Sequence, residues 1–197
     1  MRERGAEGDR RTRRTQAALR RTLIELVQER SLSKVSVADV AERAGVGRST
    51  FYDHYRDVHE LAEAACTEMI DELIDAIPGH VLASPGPSQA KSDTLLIFFA
   101  HLAEHAGLYR SVLGAQGSAR LIDHVRRRAT VATYASSRPA DGWPGRAADT
   151  PHDVPAAFIA GALLGVAVDW LQRDCPRTPD EMAALTRPLL TLLYQGH

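Results

Sequence analysis

Apolar positions recur along the chain at the spacing of one helix face after another. From Thr15 onward, Leu19, Leu23, Leu26 and Val27 form an i, i+4, i+7, i+8 stripe that ends near Arg30. Ser36-Val37-Ala38-Asp39 opens a second helix, since Ser36 can cap the free N–H groups and Asp39 can reach back; Val37, Val40, Ala41 and Ala44 share its face, and Gly45 can take the left-handed turn that ends it. A short third helix is predicted from about Arg48 to His54. Asp57-Val58-His59-Glu60 repeats the cap pattern and opens a fourth over 57–77, with Leu61, Ala64, Ala65, Met69, Leu73 and Ile77 in phase. Pro and Gly crowd residues 78–90 and 138–152, which read as loops. Between and after them helices are expected over 94–106 (stopped by Gly107), 108–113, 118–135, 153–173 and 178 to about 194. The last opens on Thr178-Pro179-Asp180-Glu181, a hydroxyl cap with Pro at the first helical position. No window reads as strand. The expectation is an all-α protein of about nine helices, with residues 1–9 a disordered tail, because they mix charge with Gly5 and Gly8 and carry no pattern.

Composition adds one fact that the pattern hides. The net charge is −1, but residues 1–56 hold 13 Lys+Arg against 8 Asp+Glu, a surplus of five cations, and the remainder carries a deficit of six. The front of the chain is suited to an anionic partner. Cys66 and Cys175 form neither a disulfide framework nor a metal spacing and suit a reducing, cytoplasmic setting. Residues 1–14 are charged and lack the apolar run of a signal peptide. The longest mostly apolar stretch, 154–168, holds Pro155 and five alanines and ends at Asp169. It falls short of the roughly 18 residues a membrane span needs, so it reads as a buried helix.

The informative segment is Ser36 to Tyr55, SVADVAERAGVGRSTFYDHY. Two short helices joined by a Gly-containing turn make a helix-turn-helix, whose second helix enters the DNA major groove while the first crosses the backbone. Val37, Val40, Ala41, Ala44, Val46 and Phe51 lock the pair together, while Arg48, Ser49, Thr50, Tyr52 and His54 pack polar donors into seven residues. The basic run Arg10, Arg11, Arg13 and Arg14 reads either as a solvated helix start or as an arm along phosphates.

Val37-Ala38-Asp39-Val40-Ala41, Ala44-Gly45-Val46 and Arg48-Ser49-Thr50-Phe51-Tyr52-Asp53-His54-Tyr55, followed by Glu60-Leu61, resemble the TetR family of bacterial transcriptional regulators over residues 14–61. GALLGVAVDWLQ followed by TPDEMA is similar to the subgroup that includes activators of dihydroxyacetone kinase operons. The resemblance implies a DNA-binding domain over 10–56 and a ligand-binding and dimerisation domain over 57–197. It puts Tyr52, His54 and Thr50 at phosphates, with Thr50 also capping the reading helix, and Arg48 and Ser49 at base edges. Ser36, Arg13 and Arg14 join them as candidate DNA contacts. Arginine there can bond bidentately to guanine. The family usually carries Lys where this chain has Val58; either His59 or Arg56 substitutes, or the contact is missing and affinity is lower. Asp53 either faces solvent or a neighbouring arginine, or accepts from cytosine N4. The implied partners are double-stranded DNA with a near-palindromic operator, a second copy of the chain, and a small-molecule effector. Repression is the commoner mode in the family; an activator of the same fold and an effector-free architectural protein are the alternatives.

The body of the chain offers weaker signals. Phe98, His101, Leu102, His105, Tyr109, Tyr134, Asp169 and Trp170 are the candidate lining of a ligand pocket. His101 and His105 stand one helical turn apart, but no third ligand completes a metal site in sequence, and no metal or cofactor is expected. Gly161 and Gly165, with Ala157 a turn earlier, form a ridge of small residues on a helix apolar on almost every face. One chain offers too few partners to cover such a helix, so Ala157, Gly161, Leu164, Gly165 and Val168, with Leu189 and Leu193 of the last helix, are expected at a four-helix dimer interface. No Gly-rich phosphate loop, G-x-S-x-G, HExxH or CxxC pair supports an enzyme.

Overall fold

The computed structural model describes residues 2–76, 94–114, 117–136 and 153–195, without the side chains of 2–7, 136 and 191–195. Among the described residues there are nine α-helices and no strand: α1 Arg2–Glu29, α2 Val37–Ala44, α3 Arg48–Tyr52, α4 Val58–Ala76, α5 Thr94–Glu104, α6 Ala106–Leu113, α7 Ala119–Ser136, α8 Val154–Gln172 and α9 Pro179–Gln195. The chain divides into two compact units, Met1–Glu68 and Met69–His197, so the division falls inside α4. The loops expected over 78–90 and 138–152 lie outside the described residues.

In the first unit α1 packs on α2, and α2 on α3. Leu19, Leu23 and Leu26 of α1, Val40 and Ala41 of α2, Phe51 of α3 and Leu61 of α4 are buried together with Leu32 and Val35. Leu32 opens a 3₁₀ turn, Leu32–Lys34, that periodicity did not reveal, and Val35 caps it. Helix α1 begins at Arg2, inside the stretch expected to be a disordered tail. Its front turns lack an apolar stripe because they are solvated, not because they are irregular: Gly8 to Arg14 are all exposed. Ion pairs between Arg43 and Glu29, at 2.6 Å, and between Arg30 and Asp39, at 3.1 Å, link α2 to the end of α1.

In the second unit α5 packs on α9, α7 on α8, and α6 on α8. Phe99, Leu102, Leu108, Tyr109, Leu121, Trp170 and Leu171 are buried, with Phe99 edge-on to Trp170 at 5.5 Å between centroids. The expected stop at Gly107 is absent. The chain breaks instead at His105 (φ −114°, ψ 25°), and Gly107 sits inside α6, whose Leu108, Tyr109, Val112 and Leu113 are all buried. Packing of that face outweighs the roughly 1 kcal/mol glycine costs in a helix. The expected starts of the last two helices are present. Asp153 accepts from the Ala156 N–H at 2.8 Å with Pro155 in the first turn, and Thr178 and Glu181 cap one another reciprocally at 2.8 and 3.3 Å.

Helix α8 ends within a residue of the expected 153–173 but departs from expectation in two ways. It is not too short for a membrane span: at 19 residues it is, by length and composition alone, apolar enough to cross a membrane. It is also not buried on every side. Ile159, Ala160, Ala167, Trp170 and Leu171 are covered, whereas Val154 and Phe158 are exposed, as are Gly161, Ala162 and Gly165.

Candidate functional site

The reading head is built by local hydrogen bonding. Ser36 Oγ accepts from the Asp39 N–H at 3.2 Å, while the Asp39 carboxylate accepts from the Ser36 N–H at 2.8 Å and its hydroxyl at 2.6 Å. These bonds, with Arg30 nearby, pull the Asp39 carboxyl from its ordinary 3.8 down to about 2. Gly45 closes α2 at φ +68°, ψ 31°, and the Val46 N–H returns to the Ala41 carbonyl at 2.9 Å. That left-handed residue turns the chain sharply into α3.

Helix α3 has only five residues, and Phe51 is its one buried side chain. A helix so short has no stability of its own; its position rests on Phe51, edge-on to Tyr52 at 5.6 Å and tilted against Tyr55 at 6.0 Å. Tyr55 is fixed in turn by Arg20, whose Nη1 donates to the tyrosine oxygen at 3.1 Å while its Nε and Nη2 clasp Glu68 at 2.5 and 2.9 Å. Opposite Phe51, Arg48, Ser49 and Tyr52 are exposed, and Thr50 and His54 are half-buried. Arg48 has no ion-pair partner among the described residues. One face of α3 thus anchors the helix while the other offers a guanidinium, hydroxyls and a phenol to a polyanion.

The remaining candidates around the head separate into free and committed groups. Ser36 spends its hydroxyl on the α2 cap, both accepting from and donating to Asp39. Arg13 pairs with Asp9, both on exposed α1, and Arg14 is exposed. Asp53 faces solvent at the end of α3. Val58 is buried at the first turn of α4, and its isopropyl group has no donor to offer. His59 beside it is exposed, and Arg56 is exposed but bonded to Asp57 at 3.2 Å. The Asp57 cap holds: it accepts from the Glu60 N–H at 2.8 Å, and Glu60 accepts from the Arg56 N–H at 2.6 Å.

The second unit contains a cavity of about 320 Å³ among α4, α5, α7 and α8. Of the expected lining residues, Phe98 and Leu102 reach it, and His101, His105, Tyr109, Tyr134, Asp169 and Trp170 do not. The reason is that several of the polar groups satisfy one another. His101 Nε2 bonds to the Tyr109 hydroxyl at 2.8 Å, and the His105 ring stands 5.1 Å from His101. Burial lowers the pKa of both imidazoles, and the neighbouring His105 lowers that of His101 further. Asp169 turns to Arg173, and the Trp170 indole donates to the Arg177 carbonyl at 3.1 Å. The groups that do line the cavity are Leu73, Leu95, Val125, Leu163 and other apolar side chains, with Thr94, Thr133, Asp75 and Arg128 as its polar members. Arg128 was legible in phase with Leu121 and Val125 but is masked by its two arginine neighbours.

The expected interface residues also divide. Gly161 and Gly165 are exposed and a side chain added at either meets open space. Leu189 is 59% exposed, beside Leu185 at 54%. Ala157 and Val168 are half-buried. Leu164 points into the cavity instead of outward, and the side chain of Leu193 lies outside the described residues. Phe158, 59% exposed, was missed although it lies on the Gly161–Gly165 face.

Comparison with known proteins matches each of the two compact units separately. Residues 19–65 match the family model described as bacterial regulatory proteins, tetR family, and residues 91–191 match the one described as transcriptional regulator C-terminal region. A 77-residue stretch is 32% identical to the HTH-type transcriptional regulator YxbF of Bacillus subtilis (strain 168), covering 36% of this chain and 20% of that protein. The chain therefore spans about a fifth of that relative's length. Among solved structures, the dihydroxyacetone kinase operon activator DhaS aligns with TM-score 0.61 at 14% identity over 92% of this chain and 96% of its own. The TetR family repressor AlkX of Dietzia sp. strain DQ12-45-1b, implicated in biodegradation of n-alkanes, aligns with TM-score 0.61 at 19% identity over 91% and 95%. With the helix-turn-helix matched at one end and the helical body at the other, the chain belongs to the TetR family of bacterial transcriptional regulators.

Proposed function

We propose that the protein is a homodimeric repressor that binds a near-palindromic operator in the cytoplasm and leaves it when a small molecule enters the cavity of the second unit. The observation that carries this reading is the two-sidedness of α3, with Phe51 fully buried beneath and Tyr52 58% exposed beside Arg48. Each copy lays α3 in a major groove, with Arg48 and Ser49 toward base edges and Tyr52, Thr50 and His54 toward phosphates.

The dimer is supported by apolar surface that the subunit leaves uncovered. Val154 and Phe158 of α8 and Leu185 and Leu189 of α9 are each more than half exposed. On α8 they continue along Gly161 and Gly165, where a second helix can approach closely. Pairing α8 and α9 with their copies buries this face. The cavity supports the effector: it is enclosed by α4, which runs into the unit holding α3, and a ligand that prefers one arrangement of that helix shifts the dimer between states of different operator affinity.

The test is fluorescence anisotropy with duplex from upstream of the protein's own coding region against unrelated duplex of equal length, at several salt concentrations. Specific binding that Arg48→Ala abolishes supports the regulator. Equal, steeply salt-dependent binding to both duplexes favours an architectural protein instead.

A further inference from the structure

We infer that the ligand of the second unit's cavity is an anionic amphiphile, an apolar chain or ring system bearing one carboxylate, and that Arg128 receives its head group by giving up Asp75. The inference deepens the effector reading above and rests on it. At about 320 Å³ the cavity lies at the small end of the range for ligand pockets, and its wall is Leu, Ile, Val, Ala and Phe apart from four polar residues.

Arg128 is the group placed to select a ligand. Its Nε donates to Asp71 at 2.8 Å and its Nη2 to Asp75 at 2.7 Å, while Nη1 has no partner among the described residues. Asp71 is also bonded to His124 at 3.0 Å, so that carboxylate is held on two sides. The two acids differ in exposure: the Asp75 side chain is 71% exposed, that of Asp71 34% and that of Arg128 30%. The cation is therefore the fixed, part-buried partner and Asp75 the replaceable, hydrated one. A ligand carboxylate can span Nη1 and Nη2 in the bidentate geometry guanidinium favours, while Nε stays on Asp71 and Asp75 turns into water. A cationic ligand has no equivalent seat, because Asp75, the one acid in the lining, is already well solvated. Thr94 and Thr133, 7% and 2% exposed, add two hydroxyls to the same wall. Asp75 lies in the last turn of α4, so ligand entry frees that turn from α7.

Isothermal titration calorimetry on the full chain at pH 8, with decanoate, 1-decanol and decylamine as probes, tests the inference. Decanoate is expected to bind at least tenfold more tightly than decanol, and decylamine more weakly than either. Arg128→Gln should erase the preference for decanoate. Asp75→Asn, a change at an exposed side chain that leaves folding intact, should tighten decanoate binding several-fold by removing the competitor. Equal affinity for decanoate and decanol, a preference for the amine, no binding of any probe, or Asp75→Asn without effect overturns it. Operator binding measured without probe keeps the two readings apart. A chain that binds the operator but ignores decanoate refutes the ligand chemistry alone, and one that takes decanoate but binds no operator refutes the regulator alone.

Discussion

Two neighbouring residues of α3 should both matter for operator binding, but only one for stability. Phe51 is fully buried and is the only buried side chain of a five-residue helix. Truncating a buried phenylalanine to alanine costs roughly 3–5 kcal/mol in a core that relaxes only partly. Because α3 cannot persist without tertiary support, Phe51→Ala should lower the urea midpoint of the first unit and abolish operator binding together. Tyr52, 58% exposed, contributes its hydroxyl to no bond that holds the fold. Tyr52→Phe should leave the unfolding free energy within about 0.5 kcal/mol of the parent. It should weaken operator binding by about 10- to 150-fold, the equivalent of one hydrogen bond to a charged phosphate of about 1.5–3 kcal/mol. Urea denaturation followed by circular dichroism and anisotropy on labelled operator read the two quantities separately. The reasoning is refuted if Phe51→Ala leaves the midpoint in place, or if Tyr52→Phe lowers stability more than affinity.

Three further substitutions probe the supports of the head and the body. Gly45→Ala should cost about 1–2 kcal/mol in urea denaturation, all of it from the left-handed backbone at φ +68°, since an added Cβ meets nothing within 4 Å. The depressed carboxyl of Asp39 makes the head more stable above its ordinary value of 3.8, a contribution lost as pH falls from about 4 through about 2. Asp39→Asn should therefore flatten that part of an acid-denaturation curve while lowering stability at neutral pH. Leu189→Glu, on the exposed face of α9, should leave the helical circular dichroism signal unchanged and convert the dimer to monomer in sedimentation velocity; a dimer that survives it places the interface elsewhere.

What could be read from the chain in advance was whatever is decided within a few residues. The Ser36–Asp39, Asp57–Glu60 and Thr178–Glu181 caps each join side chain to backbone across three positions. The turn at Gly45 and the apolar underside ending in Phe51 carry equally local signals, so the reading head was legible almost whole. Features set by distant partners were not. Arg128 shares a face with Leu121 and Val125, but its carboxylates lie 57 and 53 positions away, so nothing local shows that it is paired there. His101 and Tyr109 are expected in the pocket lining, but they bond to each other and lie outside the cavity. Leu164 and Phe158 show the same limit on a helix apolar nearly all round: periodicity cannot say which side meets the cavity and which meets solvent. The start of α1 failed for a different reason, since a helix whose turns are all solvated leaves no stripe to find.

The central claim is that two copies of α3 read one duplex at half-sites one helical turn or more apart. Hydroxyl-radical footprinting of the upstream duplex bears on it directly. The account predicts two protected patches of matching sequence, related by a twofold axis and centred about 10–10.5 base pairs apart or a multiple of that, both lost with Arg48→Ala. A single patch, or uniform protection that ignores sequence and survives Arg48→Ala, contradicts it.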